Sequence, residues 1–180
     1  MPARLVACWA LACVLALSAC GGSDASGSAR AAPEALTAVQ FESGAFLRRH
    51  PPRERRVDSS AAPRTAWIYT LRDPETTGTV VLVLQGSEAR IEAITVHWPA
   101  GEQPASWNSI KKQFVADLLE SSFTEVDYGE LSAHVLAHAY ERFQGASPKL
   151  LGGTEVKAGR QGGRLVVALR RPEGRATGMQ

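Results

Sequence analysis

The feature that most restricts the fold is an unbroken apolar run, Val80-Val81-Leu82-Val83-Leu84. Residues 79–85 are too few for a typical helix, and β-branched residues favour extended backbone, so the run predicts a β-strand. Successive side chains of a strand point to opposite faces, so this strand has apolar side chains on both. Such a strand is typical of the centre of a sheet.

Two alternating segments flank this run. Residues 65–72 and 89–98 each place apolar side chains on one face, and Pro74 and Pro99 end them. The alternating residues are Trp67, Tyr69 and Leu71 against Ile68 and Thr70, and Ile94, Val96 and Trp98 against Thr95 and His97. Gly86-Ser87 is suited to a tight turn between the second and third strands. We therefore predict three consecutive strands.

The rest of the chain from residue 33 adds three helices and a hairpin. Helical spacing predicts helices over 33–49, where Gly44 is unfavourable, and over 106–123. Asp127 and Glu130 form a capping box for a third helix, which Gly145 and Pro148 end. Residues 50–56 are predicted to be a turn and loop, and 154–158 and 164–171 a hairpin around glycine-rich 159–163. The order α-β-β-β-α-α-β-β predicts an α+β domain over 33–171, an antiparallel sheet of about five strands with helices on one face.

The first twenty residues have the features of an export signal. Arg4 precedes an apolar run over 5–17, and 13 residues are fewer than the roughly 20 that a membrane-spanning helix needs. Leu17-Ser18-Ala19-Cys20 resembles the lipobox of bacterial lipoproteins. The resemblance covers only this leader. It implies removal of residues 1–19, a lipid thioether on Cys20 and acylation of its new amino group.

A lipidated Cys20 would hold the mature chain at a bacterial membrane, because two or more acyl chains give stable anchoring. Residues 20–32 are rich in Gly and Ser and predict a flexible tether, and 172–180 predict a disordered tail. Gly21 stands where an Asp often directs inner-membrane retention, which favours the outer membrane if the source has one. The alternatives are a secreted protein cut near Ala19 and an uncleaved apolar anchor.

The charge distribution provides candidate contact residues. The 20 Lys and Arg nearly balance the 18 Asp and Glu, which argues against a nucleic-acid binder. However, residues 30–72 contain eight basic and four acidic residues, and 142–180 eight basic and two acidic. A basic surface near a membrane is suited to an acidic envelope protein or an anionic lipid. The candidate partner contacts are Arg48, Arg49, Arg53, Arg55 and Arg56.

No cofactor is expected, because the sequence contains no Walker loop, dinucleotide fingerprint, nucleophile elbow or Cys pair. His134 and His138 are one helical turn apart and could bind zinc, although the segment lacks the Glu of the metalloprotease motif. The tryptophans Trp67, Trp98 and Trp107 fit a core better than a ligand pocket. We expect a lipid-anchored envelope protein with a non-catalytic binding or structural role. The alternatives are a protein that handles a small ligand or metal, and a hydrolase with dispersed catalytic residues.

Overall fold

Seven antiparallel strands and four helical segments make up the part of the chain that the structure describes. The structure is a computed structural model, and it describes residues 35–60, 63–99 and 107–172. The predicted leader, Cys20, the tether and the tail from 173 onward lie outside these residues. In chain order the elements are α1 (Ala38–Ser43), α2 (Ala45–Arg49), β1 (Pro52–Asp58), β2 (Thr65–Arg72), β3 (Thr79–Ser87), β4 (Arg90–Trp98), α3 (Ser109–Ser122), α4 (Tyr128–His138), β5 (Lys149–Leu151), β6 (Thr154–Gln161) and β7 (Arg164–Arg170).

The strands form one sheet in the order β1-β2-β3-β4-β7-β6-β5. Every neighbouring pair is antiparallel, and β4 is the middle strand, pairing with β3 on one side and β7 on the other. The predicted α+β class is therefore confirmed. The run on β3 lies inside the sheet between β2 and β4, as its apolar character indicated.

One face of the sheet is buried beneath the helices. Its side chains join those of the helices in a single hydrophobic core, in which Tyr69 lies against Phe41 of α1 and Trp98 against Phe114 of α3. The register places Ile68, Val83 and Thr95 side by side on the other face, where they are half-buried. The placement of helices on one face is thus confirmed.

The predicted helix over 33–49 is two short helices that meet at Gly44. Thr37 caps α1 in a reciprocal capping box with Gln40, so the helix begins at Ala38. Gly44 has extended backbone, ends α1 and precedes α2. On α1 Val39 is exposed, whereas Phe41 is buried in the core.

The sequence prediction missed two strands, which is why it gave five rather than seven. The loop predicted over 50–56 is largely β1, whose residues are all exposed. Because no residue of β1 is buried, the strand shows no alternation of apolar and polar side chains, and it is defined by pairing with β2. Strand β5 is only three residues long, too short for a periodic signal.

The longer helices begin where side-chain caps were available. The side chain of Asn108 accepts a hydrogen bond from the backbone of Lys111 at the start of α3, and that of Asp127 accepts one from Glu130 at the start of α4. In the first turn of α3 the side chain of Ile110 is exposed. No helix among the described residues is long and apolar enough to cross a membrane.

Candidate functional site

The five candidate arginines occupy two neighbouring elements. Arg48 and Arg49 form the last turn of α2, and the other three lie on β1. Nη1 of Arg48 donates to the carbonyl of Ser43 at 2.6 Å. Arg49 binds two carboxylates of α3, Asp117 at 3.0 Å and Glu120 at 3.2 Å. Both side chains therefore form contacts within the domain.

Asp117 is the centre of a polar cluster between α2 and α3. Its carboxylate also lies 3.0 Å from Nε2 of His50 and accepts a hydrogen bond from Gln113 at 3.0 Å. The His50 ring packs against Phe46 and Phe114, with ring centroids 4.9 and 4.8 Å away. Burial opposes ionisation of Asp117, but these hydrogen bonds and the charge of Arg49 lower its pKa below the ordinary value. The cluster therefore joins the two helices.

Arg55 is also engaged by the fold. It lies opposite Tyr69 of β2, on the face that the helices cover, and its Nη2 is 2.7 Å from Oε1 of Glu42. The Tyr69 hydroxyl donates to the same carboxylate oxygen at 2.7 Å. Burial first, and then the bond to Glu42, raise the pKa of Tyr69 well above its usual range. These three side chains connect α1 to the first two strands.

Arg53 and Arg56 differ from the other three. Arg53 occupies an irregularity in the pairing of β1 with β2, between Pro52 and Glu54. Arg56 lies opposite Ile68 and so extends toward the face of the sheet opposite the helices. In the described parts of the chain neither arginine forms a salt bridge. The structure thus divides the candidate set into three structural arginines and two at an open strand edge.

The two candidate zinc ligands are packed beneath the sheet. His134 is buried on α4 with its ring centroid 4.5 Å from that of His138. Burial, then the charges of His138 and Lys149, lower the pKa of His134. Nδ1 of His138 lies 2.9 Å from Glu141. Among the described residues no three His, Cys, Asp or Glu side chains are grouped as metal binding requires.

The three tryptophans belong to the core. Trp67, Trp98 and Trp107 are at most 6% exposed. Trp98 packs edge-on against Trp107, whose Nε1 donates to the Ser132 hydroxyl at 2.8 Å. Their role in the described structure is packing.

A cavity that the sequence analysis missed lies beside the turn between β6 and β7. It has a volume of about 330 Å³ and is lined by Arg142, Gln144, Arg160, Gln161, Gly162 and Gly163. The sequence predicted the hairpin but placed the turn over five residues, whereas the strands leave only two between them. Sequence spacing gave no indication that Arg142, eighteen positions before Arg160, lies next to it.

Comparison with known proteins adds no family to this description. No family model, no curated protein and no solved structure matches the chain. The class is therefore defined by the fold alone, an α+β domain with helices on one face of an antiparallel sheet.

Proposed function

We propose that this chain is a lipid-anchored protein of the bacterial cell envelope whose role is binding rather than catalysis. Cys20 carries the anchor, and the outer membrane is its location in a diderm source. The partner is another envelope protein, which docks an extended segment along β1 with acidic side chains opposite Arg53 and Arg56. The observation that carries this proposal is the edge of β1, where the described residues place no further strand and where Arg53 and Arg56 form no salt bridge with them.

The anchor is supported by four features that agree in the leader. These are the early Arg4, an apolar run too short to span a bilayer, the small residues before Cys20 and the Gly- and Ser-rich stretch after it. An anchored domain stays near the membrane, because twelve tether residues treated as a flexible coil have a root-mean-square length of about 20 Å. Partners within the same envelope are then within reach.

The edge of β1 supports a protein partner in extended conformation. Strand β1 is the first strand of the sheet, and within residues 35–60, 63–99 and 107–172 it pairs with β2 alone, so one side of its backbone has no neighbouring strand there. An unpaired edge can accept an added strand, and the added main-chain hydrogen bonds supply affinity. Arg53 and Arg56 favour acidic side chains at the positions of an added strand that face them, whereas Glu54 and Asp58 of the same strand favour basic ones beside them.

Site-specific photo-crosslinking in cells tests the partner. A photoreactive residue replaces Val57, which is 46% exposed on β1, and a matched control replaces Leu136, which is 51% exposed on α4. We expect position 57 to give a discrete adduct whose crosslinked peptide is a segment of an envelope protein with acidic side chains. Position 136 should not give that adduct.

A charge reversal completes this test. Arg56→Glu should abolish the adduct, whereas Arg90→Glu, the same change at the exposed first residue of β4, should preserve it. No adduct, an adduct that survives Arg56→Glu, or crosslinks to lipid alone would each contradict the proposed partner.

The anchor has a separate test that does not depend on the partner. Cells supplied with a labelled fatty acid should transfer the label to the mature chain. Cys20→Ser should remove the label and leave the leader uncleaved. An unlabelled wild-type chain, or a Ser variant that is processed normally, would disprove the anchor.

A further inference from the structure

Two arginines lie side by side at the outer edge of β6. Arg142 and Arg160 are directly paired in a parallel bridge. Backbone hydrogen bonds flank the bridge, from Arg160 N to the Glu141 carbonyl at 2.7 Å and from Phe143 N to the Arg160 carbonyl at 2.8 Å. Paired residues on adjacent strands have neighbouring side chains, and two like charges in this arrangement repel each other. The fold therefore places two arginines next to each other, and both line one cavity.

The guanidinium of Arg160 is oriented by the end of α4. Its Nε donates to the carbonyl of Ala139 at 3.1 Å, and its Cζ lies 5.3 Å from the centre of the Tyr140 ring. Its Nη2 is buried and has no hydrogen-bond partner. A buried donor without a partner is uncommon in folded proteins, and an acceptor from outside the chain would satisfy it.

No acidic side chain neutralises the pair within the described residues. Neither Arg142 nor Arg160 forms a salt bridge there. Glu141, adjacent to Arg142 in sequence, lies with its carboxylate 2.9 Å from His138 instead. The positive charge of the pair is therefore left for a ligand.

The cavity in front of the pair is small. Besides the two arginines it is lined by Gln144, Gln161 and the two turn glycines. Gly162 and Gly163 have φ of 56° and 75°, the left-handed conformation of a two-residue hairpin turn. A Cβ at Gly162 would touch nothing within 4 Å, so this side of the turn is open.

We propose that this cavity binds the carboxylate or phosphate group of a small polar molecule. The planar donors of Arg suit both anions, because they can form two parallel hydrogen bonds to one oxyanion. The amides of Gln144 and Gln161 offer donors and acceptors to hydroxyl groups on the same molecule. A volume of about 330 Å³ is near the lower limit for ligand sites and restricts the ligand to a small one.

This site is independent of the partner surface on β1. Five strand intervals separate β1 from β6 in the sheet, which corresponds to about 24 Å at the usual strand spacing. The proposal also does not require lipidation of Cys20. Failure of either earlier proposal therefore leaves this one intact, and the reverse also holds.

Isothermal titration calorimetry on the full-length chain in non-ionic detergent tests the site at constant ionic strength. Inorganic phosphate is the phosphate probe, and glucuronate is the carboxylate probe with hydroxyl groups. We expect at least one to bind with one-to-one stoichiometry, and the tighter probe identifies the anion. Arg142→Gln should weaken binding by about tenfold or more, as expected for loss of a charged hydrogen bond.

Two further variants separate a built site from general charge attraction. Arg160→Lys retains the positive charge but not the planar set of donors that can form two parallel hydrogen bonds, so it should also weaken binding. Arg90→Gln removes one exposed arginine outside the cavity lining and should leave binding within about twofold, since it loses only a screened long-range attraction. Absence of binding by both probes at millimolar concentration would overturn the proposal. Binding that Arg142→Gln leaves unchanged, or that Arg90→Gln weakens equally, would overturn it as well.

Discussion

Two adjacent glycines offer a sharp test of how the edge of the sheet is attached to the helices. Gly152 and Gly153 form the two-residue turn between β5 and β6, with φ of 55° and 87°. A Cβ on Gly152 would overlap the backbone carbonyl of Glu125, whereas one on Gly153 would meet nothing within 4 Å. Both positions impose a backbone conformation that disfavours Ala, but only one is also crowded.

The segment that Gly152 touches cannot easily move away. Phe123 and Val126, on either side of Glu125, are buried in the core. The Glu125 carboxylate accepts hydrogen bonds from Thr154 at 3.1 Å and from Arg171 at 3.3 Å. A side chain at position 152 would have to displace this held backbone.

The expected difference between the two variants is about 2 kcal/mol. A left-handed conformation costs Ala about 1 to 2 kcal/mol. Ala also reduces the entropy of the unfolded chain, which favours the folded state by about 0.4 to 1 kcal/mol. Gly153→Ala should therefore lower the free energy of unfolding by about 1 kcal/mol or less. Gly152→Ala should lose about 2 kcal/mol more, the typical cost of overpacking a rigid site.

Urea unfolding followed by tryptophan fluorescence measures this difference, because Trp67, Trp98 and Trp107 are buried. The midpoint should fall much further in Gly152→Ala than in Gly153→Ala, with unchanged denaturant slopes. In a thermal scan the difference corresponds to about 8 °C for a domain of this size. Equal losses would refute the close approach of the turn to Glu125.

Three further predictions concern buried polar groups. Asp117→Asn should lower the free energy of unfolding by about 1 to 2 kcal/mol near pH 7. The loss should be smaller in acid, because the pKa of Asp117 is lowered in the folded state and its stabilising contribution disappears as pH falls through that pKa. Denaturation at several pH values measures this. His134 has a lowered pKa, so acidification below about 6.5 should destabilise wild type more than His134→Gln. If the free energies of unfolding of wild type and His134→Gln changed equally with pH, this prediction would be contradicted. Ser132→Ala removes the hydroxyl that accepts the hydrogen bond of Trp107 and should lower the free energy of unfolding by about 1 to 3 kcal/mol. Urea unfolding measures this loss, and the control Ser109→Ala, at an exposed position, should lose far less.

The strands and caps that the sequence determined depend on local patterns. Alternation along β2 and β4 identified both strands and their buried faces, because burial of one face imposes a period of two. Asp127 began α4 as predicted, since a cap is formed within one turn of the chain. These features require no knowledge of distant residues.

Tertiary structure alone decided the strands and contacts that depend on partners far along the chain. Strand β1 forms from charged residues because β2 offers an edge, and nothing in its own composition favours a strand. The division of the arginines likewise follows from helix placement, since Arg49 meets Asp117 and Arg55 meets Glu42 only after folding. Arg142 and Arg160 become neighbours because the chain after α4 returns along the edge of β6. Sequence periodicity records which face of an element is buried, but it carries no information on which distant element covers that face.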